Sequence, residues 1–401
     1  MFQTLRNAWK IEDLRKKLLF TLLILVIVRL GCAIPVPFLD PSRLQEMLDS
    51  TQGNLLGYLN LLTGGAFAEA TLFALGVSPY ITASIVIQLL TVAIPSLERM
   101  AKEGPEGQKK IKKITRYSTI GLAILQAFSA GAMLVVWLGE RIDEKGIGNG
   151  ISLILFAGIV ARIPTLITRL ITYIQLGEFY PQYYVWVPLV VILFIAMIAF
   201  IVLMNGAERR IPVQYAKRIV GRKQYGGQNT YMPIKVNMSG VLPIIFASTF
   251  LAIPGTIVGF VDPNAEGGFA KFISNVFSTN SIWYALLYFI LIILFNYFYI
   301  AIQYNPIEMA NNIRKNNGAI PGIRPGKPTS DFISRIISKT TLTGALMLAV
   351  IAILPIILGA VAKMNISMGG TSIIIVVGVA LDTARSLESQ MMMRHYKGFL
   401  E

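Results

Sequence analysis

Two nine-residue stretches decide the reading of this chain: G-V-S-P-Y-I-T-A-S at 76–84 and G-V-L-P-I-I-F-A-S at 240–248. Gly, Val, Pro, Ile, Ala and Ser coincide at six positions, and each copy opens an apolar run. A second pair echoes the first, G-I-S-L-I-L-F-A-G at 150–158 and G-T-S-I-I-I-V-V-G at 370–378. The first half of the chain therefore reads as built again in the second, which divides it into 1–176 and 177–401. Repeated halves with Pro-broken helices place a pathway at the interface between them.

Composition sets the class. The chain has 401 residues, 54% hydrophobic and 14% charged. Its longest uncharged runs, such as 281–302, reach the ~20 residues that a bilayer-crossing helix needs. The fold class is all-α and polytopic. Spans are expected near 19–37, 76–94, 117–139, 150–175, 185–205, 238–260, 281–303, 341–362 and 370–386. Basic residues lead into a full-length first span, so the N-terminus does not read as a cleavable signal. The one cysteine, Cys32, sits in that span as a small packing residue, and no disulfide framework exists. Arg29, Arg162 and Arg169 also fall within spans and are expected near ends or in protein-lined places.

The net charge of +15 is distributed unevenly. Lys and Arg number five in 1–18, seven in 95–116, seven in 206–236 and six in 304–340. Loops rich in these residues stay on the cytoplasmic side. If 117–139 crosses once, the last two loops fall outside. If it contributes two crossings, every basic loop falls inside. Only 23 residues lie between Arg116 and Glu140, whereas a crossing hairpin takes about 40. A stretch holding the end of one span, an outer loop and the start of the next is thus expected to be absent near Phe128–Ser129. A deletion or a loop missing from the numbering accounts for it equally.

Segment 53–67, GNLLGYLNLLTGGAF, carries no charge and is too short to span. Gly53 and Gly64-Gly65 favour helix ends. It reads either as an interfacial packing helix or as a half-membrane element seated in a cavity on the outer side. Pro79 and Pro243 stand where helices start well, each three residues after a glycine, so extended backbone is expected to lead into each helix. Val77 and Ile81 share one helical face, as do Val241 and Ile245. Leu155 and Ile375 match in the second pair. A pseudo-two-fold axis would gather these side chains, as core packing or as a hydrophobic constriction against water and ions.

The loops 206–236 and 304–340 mix basic residues with Gly and Pro turns and exceed the usual loop length. They suit anionic lipid, RNA or an acidic protein face. No catalytic set, metal cluster, cofactor motif or phosphate-binding loop appears in the sequence, and none of these is expected. The one histidine, His395, lies in the tail. Within the spans, carboxylates are nearly absent except for Asp382. An ion-coupled transporter needs such relays, so a passive pore with an external driver fits better.

The chain resembles the bacterial SecY family, the central subunits of protein-translocation channels. The likeness rests on IPVPFLD at 34–40, LTGGAF at 62–67, ALGVSPYITASIVIQLL at 74–90, WLGERI and GIGNGIS within 137–152, and YAKR at 215–218. It continues through LPIIFAS at 242–248, NPIEMANNIRK at 305–315, PGIRPG at 321–326 and GGTSIIIVVGVALD at 369–382. The resemblance implies ten spans in two inverted halves of five, both termini cytoplasmic, in the bacterial inner membrane. The third and fourth spans are then truncated or fused here, short of roughly 30 residues for the missing hairpin loop.

The same resemblance implies the site residues. Val77, Ile81, Leu155, Ile245 and Ile375 match a pore ring. Asn54, Leu55, Leu56, Tyr58, Leu59, Leu62, Gly64 and Gly65 match a plug over 54–67. Pro79, Ser84 and Gln88 on one side, and Pro243 and Ser248 on the other, match a lateral gate. Arg209, Arg210, Lys217, Arg218 and Arg324 match docking positions for the SecA motor and the ribosome. The implied partners also include SecE and SecG, signal sequences, nascent polypeptides and membrane lipid. The expected function is a non-enzymatic conduit for unfolded secretory polypeptides, with lateral release of membrane segments. The alternative from another class is a small-solute secondary transporter, which would need polar or charged midplane residues. An insertase without a through-pore is a third reading.

Overall fold

A glycine corner builds each repeated stretch. In the computed structural model, Gly76 and Gly240 both take left-handed backbone, φ +51° and +65°, a region glycine enters without steric cost. A helix follows each: Ser78–Ala93, the third helix among the described residues (α3), and Leu242–Val261, the tenth (α10), with Pro79 and Pro243 in their first turns. In both copies the valine carbonyl accepts from the isoleucine amide four residues on, Ile81 to Val77 at 3.1 Å and Ile245 to Val241 at 3.2 Å. The lead-in to α3 is not extended, contrary to expectation. Ala74 N–H donates to Thr71 O (3.0 Å), Gly76 to Phe73 O (2.9 Å) and Ser78 to Leu75 O (3.1 Å). Consecutive turns satisfy amides that extended backbone in an apolar layer would leave unpaired.

The structure describes residues 2–36, 63, 65–102, 105–125, 129–215, 218–220, 223–225, 229–261, 268–277, 281–362, 364 and 370–397. The chain opens with α1 (Phe2–Lys10) and α2 (Glu12–Gly31). After α3 comes a 106° bend into α4 (Pro95–Lys102). Then follow α5 (Pro105–Leu125), α6 (Ser129–Lys145), α7 (Gly150–Val160), α8 (Ile163–Leu176) and α9 (Tyr183–Gly206). In the second half α10 is followed by α11 (Gly268–Phe277), α12 (Ile282–Gln303), α13 (Pro306–Lys315), α14 (Lys327–Ala362) and α15 (Gly370–Lys397). By length and composition, five helical segments among the described residues can cross a bilayer, or six with the bent α3–α4 pair. The apolar side chains Ile192, Ile195 and Leu203 on α9 are 62%, 63% and 71% exposed, as befits a helix against lipid.

The expected single span 117–139 is not present. Two helices replace it, and Arg116 on α5 pairs with Glu140 on α6. From Arg116 to Leu125, and from Ser129 to Glu140, each arm rises roughly 14–17 Å at ~1.5 Å per residue, about half the apolar thickness. The hairpin returns the chain to the side it left. This meets the even-crossing demand of the charges without a full crossing. Phe128 lies outside the described residues. Near the start of α6, Gly131 lies against Leu72, where a Cβ would overlap the carbonyl oxygen.

The two basic loops also hold strands, which the all-α reading did not include. In the first loop, β1 (Glu208–Tyr215) pairs antiparallel with β4 (Asn229–Lys235), and β2 (Arg218–Val220) pairs with β3 (Lys223–Tyr225). From the second loop, β5 (Gly318–Ala319) adds to β1, giving the order β4-β1-β5. Ile211 and Val213 point inward from alternate positions of β1, as strand pleating dictates. They share a core with Ile234, Ile300, Ile313, Ile320, Ile333 and Ile337.

The hairpin is tested by joining its arms. With Cys32→Ala as background, Arg116→Cys with Glu140→Cys should be joined within one chain by a short-armed bismaleimide in intact membranes. A single crossing would hold the two positions about 36 Å apart and give no such link.

Candidate functional site: an aliphatic junction between the repeats

The second repeated pair starts helices, and close backbone packing explains its glycines. A Cβ at Gly150 would overlap the Gly139 carbonyl on α6, and one at Gly370 would overlap Ile351 O on α14. These contacts fix the starts of α7 and α15, with Leu155 and Ile375 each five residues further on. Asn149 caps α7 by accepting from Ser152 N–H (3.0 Å), and Asp143 Oδ1 accepts from Gly150 N–H (2.7 Å). A carboxylate there is favoured by the helix dipole. At the other end of α7, Arg29 Nη2 donates to the carbonyls of Ala157 (2.6 Å) and Gly158 (2.9 Å). Arg29 is therefore protein-lined, as expected. Arg162 sits half-buried at the α7–α8 junction, and Arg169 is exposed on α8 two turns from its end.

The four helices α3, α7, α10 and α15 bring Ile81, Leu155, Ile245 and Ile375 to one cavity of about 730 Å³. Val241 and Ile374 line it as well. The rest of its lining mixes apolar side chains such as Ile151, Met238 and Ile337 with polar ones, and includes the charged groups of Lys112, Asp143, Lys235, Asp382 and Arg385. Val77 does not line this cavity. It is buried in one cluster with Leu155, Ile375 and Ile81, and borders a second cavity of about 20 Å³ with Arg29, Cys32, Thr63 and Gly76. Leu155 borders both cavities. Leu155, clustered with Val77, Ile81 and Ile375, thus stands between a wide cavity of mixed lining and a small pocket that reaches Thr63. Aliphatic side chains offer water and ions nothing that replaces their hydration.

The expected gate positions lie along α3 and α10. Pro79 and Pro243 are buried in first turns, Ser84 is half-buried beside the wide cavity, and Gln88 is exposed with its amide 3.4 Å from Ser84 Oγ. Ser248 is buried and its hydroxyl donates back to Ile245 O (3.0 Å). Where the two helices meet, Ile85 forms a buried cluster with Ile245 and Phe246, flanked by Ile81, Val241 and Leu242. Ile85 and Phe246 were not singled out from the sequence. Their one signal was spacing, four residues beyond Ile81 and one beyond Ile245.

Of the expected plug, Asn54, Leu55, Leu56, Tyr58, Leu59, Leu62 and Gly64 lie outside the described residues. Gly65 begins a turn with φ +96°, and Thr63 is buried. Of the docking positions, Arg209 and Arg210 are exposed on β1, and Arg210 Nε donates to Glu208 Oε1 (2.7 Å). Arg218 opens β2, and Lys217 lies outside the described residues. Arg324 is exposed between β5 and α14, where its carbonyl accepts from Thr329 Oγ1 (2.9 Å). The β1–β5 pairing ties the two loops carrying these residues into one body.

The fold and this junction define a class, a multi-pass membrane protein in which helices opened by both copies of both repeats bring aliphatic side chains to one wide cavity. The SecY family model matches residues 71–384, and the chain belongs to the SecY family. It is 42% identical to the protein translocase subunit SecY of Streptomyces coelicolor, over all of both chains. It is 40% identical to that of Thermotoga maritima, over 100% of this chain and 98% of the other. The Streptomyces alignment runs over 442 positions against 401 residues here. The relative therefore has at least 41 positions without a counterpart, a deficit large enough to include the stretch expected near Phe128–Ser129. A solved structure described as that of a protein conducting channel superposes with TM-score 0.62 at 19% identity, over 94% of this chain and 92% of that one. A second, described as showing that the plug domain of SecY stabilises the closed state of the translocation channel, gives the same values. These two show the fold.

Proposed function

We infer that this chain forms the conducting path of a protein translocase, passing unfolded polypeptides across a membrane and releasing apolar segments sideways into it. One observation carries the reading. Ile81, Leu155, Ile245 and Ile375, drawn from both copies of both repeats, converge on one cavity. A solute carrier would place polar or charged groups where the repeated helices converge; here Ile81, Leu155, Ile245 and Ile375 converge, and the charged groups belong to the rest of the cavity's lining.

The resting state follows from that chemistry. The aliphatic ring, with Val77 on its far side, excludes ions, and segment 54–67 closes the outer side as a plug. A signal sequence, with a partner on the basic loops, favours the open state by binding it more tightly than the closed one. The plug leaves, and the ring fits around the moving chain. Apolar side chains suit this task because they hold no particular substrate residue strongly. Lateral release proceeds between α3 and α10, past Ser84, Gln88 and Ser248, where the halves meet through Ile85, Ile245 and Phe246. The driver is external and the chain itself performs no catalysis. The basic platform with Arg209, Arg210, Lys217, Arg218 and Arg324 receives the SecA motor and the ribosome. SecE and SecG complete the complex, in the bacterial inner membrane, with both termini cytoplasmic. The halves 1–176 and 177–401 act as the two moving bodies.

Two substitutions test this reading. Ile81→Gly together with Ile245→Gly should raise ion leak through the complex in liposomes, and unchanged conductance would remove the ring assignment. Arg324→Glu should cripple motor-driven export of a secretory precursor into vesicles. Normal export by that variant would take Arg324 out of the docking surface.

A further inference from the structure

The corner before α10 is held by a polar network that the sequence did not announce and the conduit reading leaves unused. Asn296 lies mid-way along α12 and is 1% exposed. Its Nδ2 donates to Thr341 O on α14 (3.0 Å). Its Oδ1 accepts from the hydroxyl of Ser239, the residue preceding the Gly240 corner, itself 5% exposed. Beside it, Asn237 Oδ1 accepts from Gly240 N–H (3.0 Å), and Asn237 Nδ2 donates to Asn205 Oδ1 at the end of α9 (2.9 Å). Asn205 O in turn accepts from Arg385 of α15 (3.0 Å). Gly344 on α14 lies against Val236, where a Cβ would overlap the carbonyl oxygen.

The matching corner in the first half is held differently. Gly131 lies against Leu72, and Gly31 lies against the Phe73 ring, where a Cβ would overlap it. Those are packing contacts, joined by hydrogen bonds from Thr71 Oγ1 to Ala66 O (3.0 Å) and from Leu72 N–H to Ile34 O (2.9 Å). At the second corner, side chains from α9 and α12 converge on four residues, 237–240, and a guanidinium from α15 holds the α9 end of the network. A glycine with left-handed φ is a natural swivel, and a helix carrying Val241 and Ile245 hangs from it. An asparagine fixed at both ends of its amide removes that freedom.

We propose that Asn296 is a positioning residue for the constriction. Resting on the conduit reading, it clamps Ser239 to α14 so that the first turn of α10 aims Ile245 at Ile81, Leu155 and Ile375. Loss of the clamp frees the corner to swivel and lets Ile245 leave the layer.

The test is ion leak through the purified complex in liposomes, with the Ile81→Gly, Ile245→Gly pair measured alongside. Asn296→Leu keeps the branched shape and removes both hydrogen bonds, and Ser239→Ala removes one of them. Each should raise resting leak about 3- to 15-fold, the factor by which losing one interhelical hydrogen bond shifts a two-state equilibrium. The double variant should leak no more than Asn296→Leu alone, because both changes cut the same bond. The exchanged pair Ser239→Asn with Asn296→Ser should restore the seal. Leak from the glycine pair with none from Asn296→Leu or Ser239→Ala overturns the proposal and leaves the conduit reading standing. Additive leak also overturns it, as two unrelated packing defects. Silence from all variants removes both. If Asn296→Leu lowers the yield of folded chain, Ser239→Ala decides alone.

Discussion

Backbone inside an apolar layer must find its hydrogen bonds within the protein, and this chain meets that demand at two corners. At Gly76 and Gly240 the chain turns within a few residues and starts a helix beside the other half. Left-handed glycine and a proline in the first turn make each corner possible. The valine carbonyl that closes the first turn accepts from the isoleucine whose side chain enters the central layer. Backbone satisfaction and the placing of Ile81 and Ile245 are therefore one geometric fact, repeated twice. Gly150 and Gly370 do the same for α7 and α15 through close packing instead of a turn.

The junction between the halves need not be strong. Few side chains join α3 to α10, chiefly Ile85, Ile245 and Phe246, and aliphatic contacts there lack direction. Interhelical hydrogen bonds in a bilayer are worth only about 0.6–2 kcal/mol, yet they are directional. The network around Asn296 and Asn237 thus fixes the second corner where apolar packing alone would leave it free. The β4-β1-β5 sheet plays the corresponding part on the basic side, joining two loops distant in sequence to the feet of α12, α13 and α14.

Much of this is legible in the sequence. The repeated nonapeptide locates both helix starts and points to Ile81, Ile245, Leu155 and Ile375, because glycine, proline and aliphatic spacing carry direct conformational meaning. The short hairpin is legible only through charge. Residues 117–139 form a continuous apolar run, and Ser129 and Gly131 are too weak as breakers to mark its division. The loop counts of Lys and Arg are what demand an even number of crossings. The strands escape notice because E-R-R-I-P-V-Q-Y reads as a basic loop unless Ile211 and Val213 are seen alternating. Asn296 gives no signal, since a lone amide in an apolar helix finds its meaning only when Ser239 and Thr341 arrive beside it.

The central claim is that a transiting polypeptide passes through the aliphatic layer where the repeats meet. Site-specific photocrosslinking of a secretory chain stalled in the active complex tests it directly, with the reactive group placed at successive positions of the stalled chain. As the group reaches the layer, adducts should map to Ile81, Leu155, Ile245 and Ile375, hence to both halves at one depth. Adducts confined to the lipid-facing side of α9, with none on these four residues, would contradict the account.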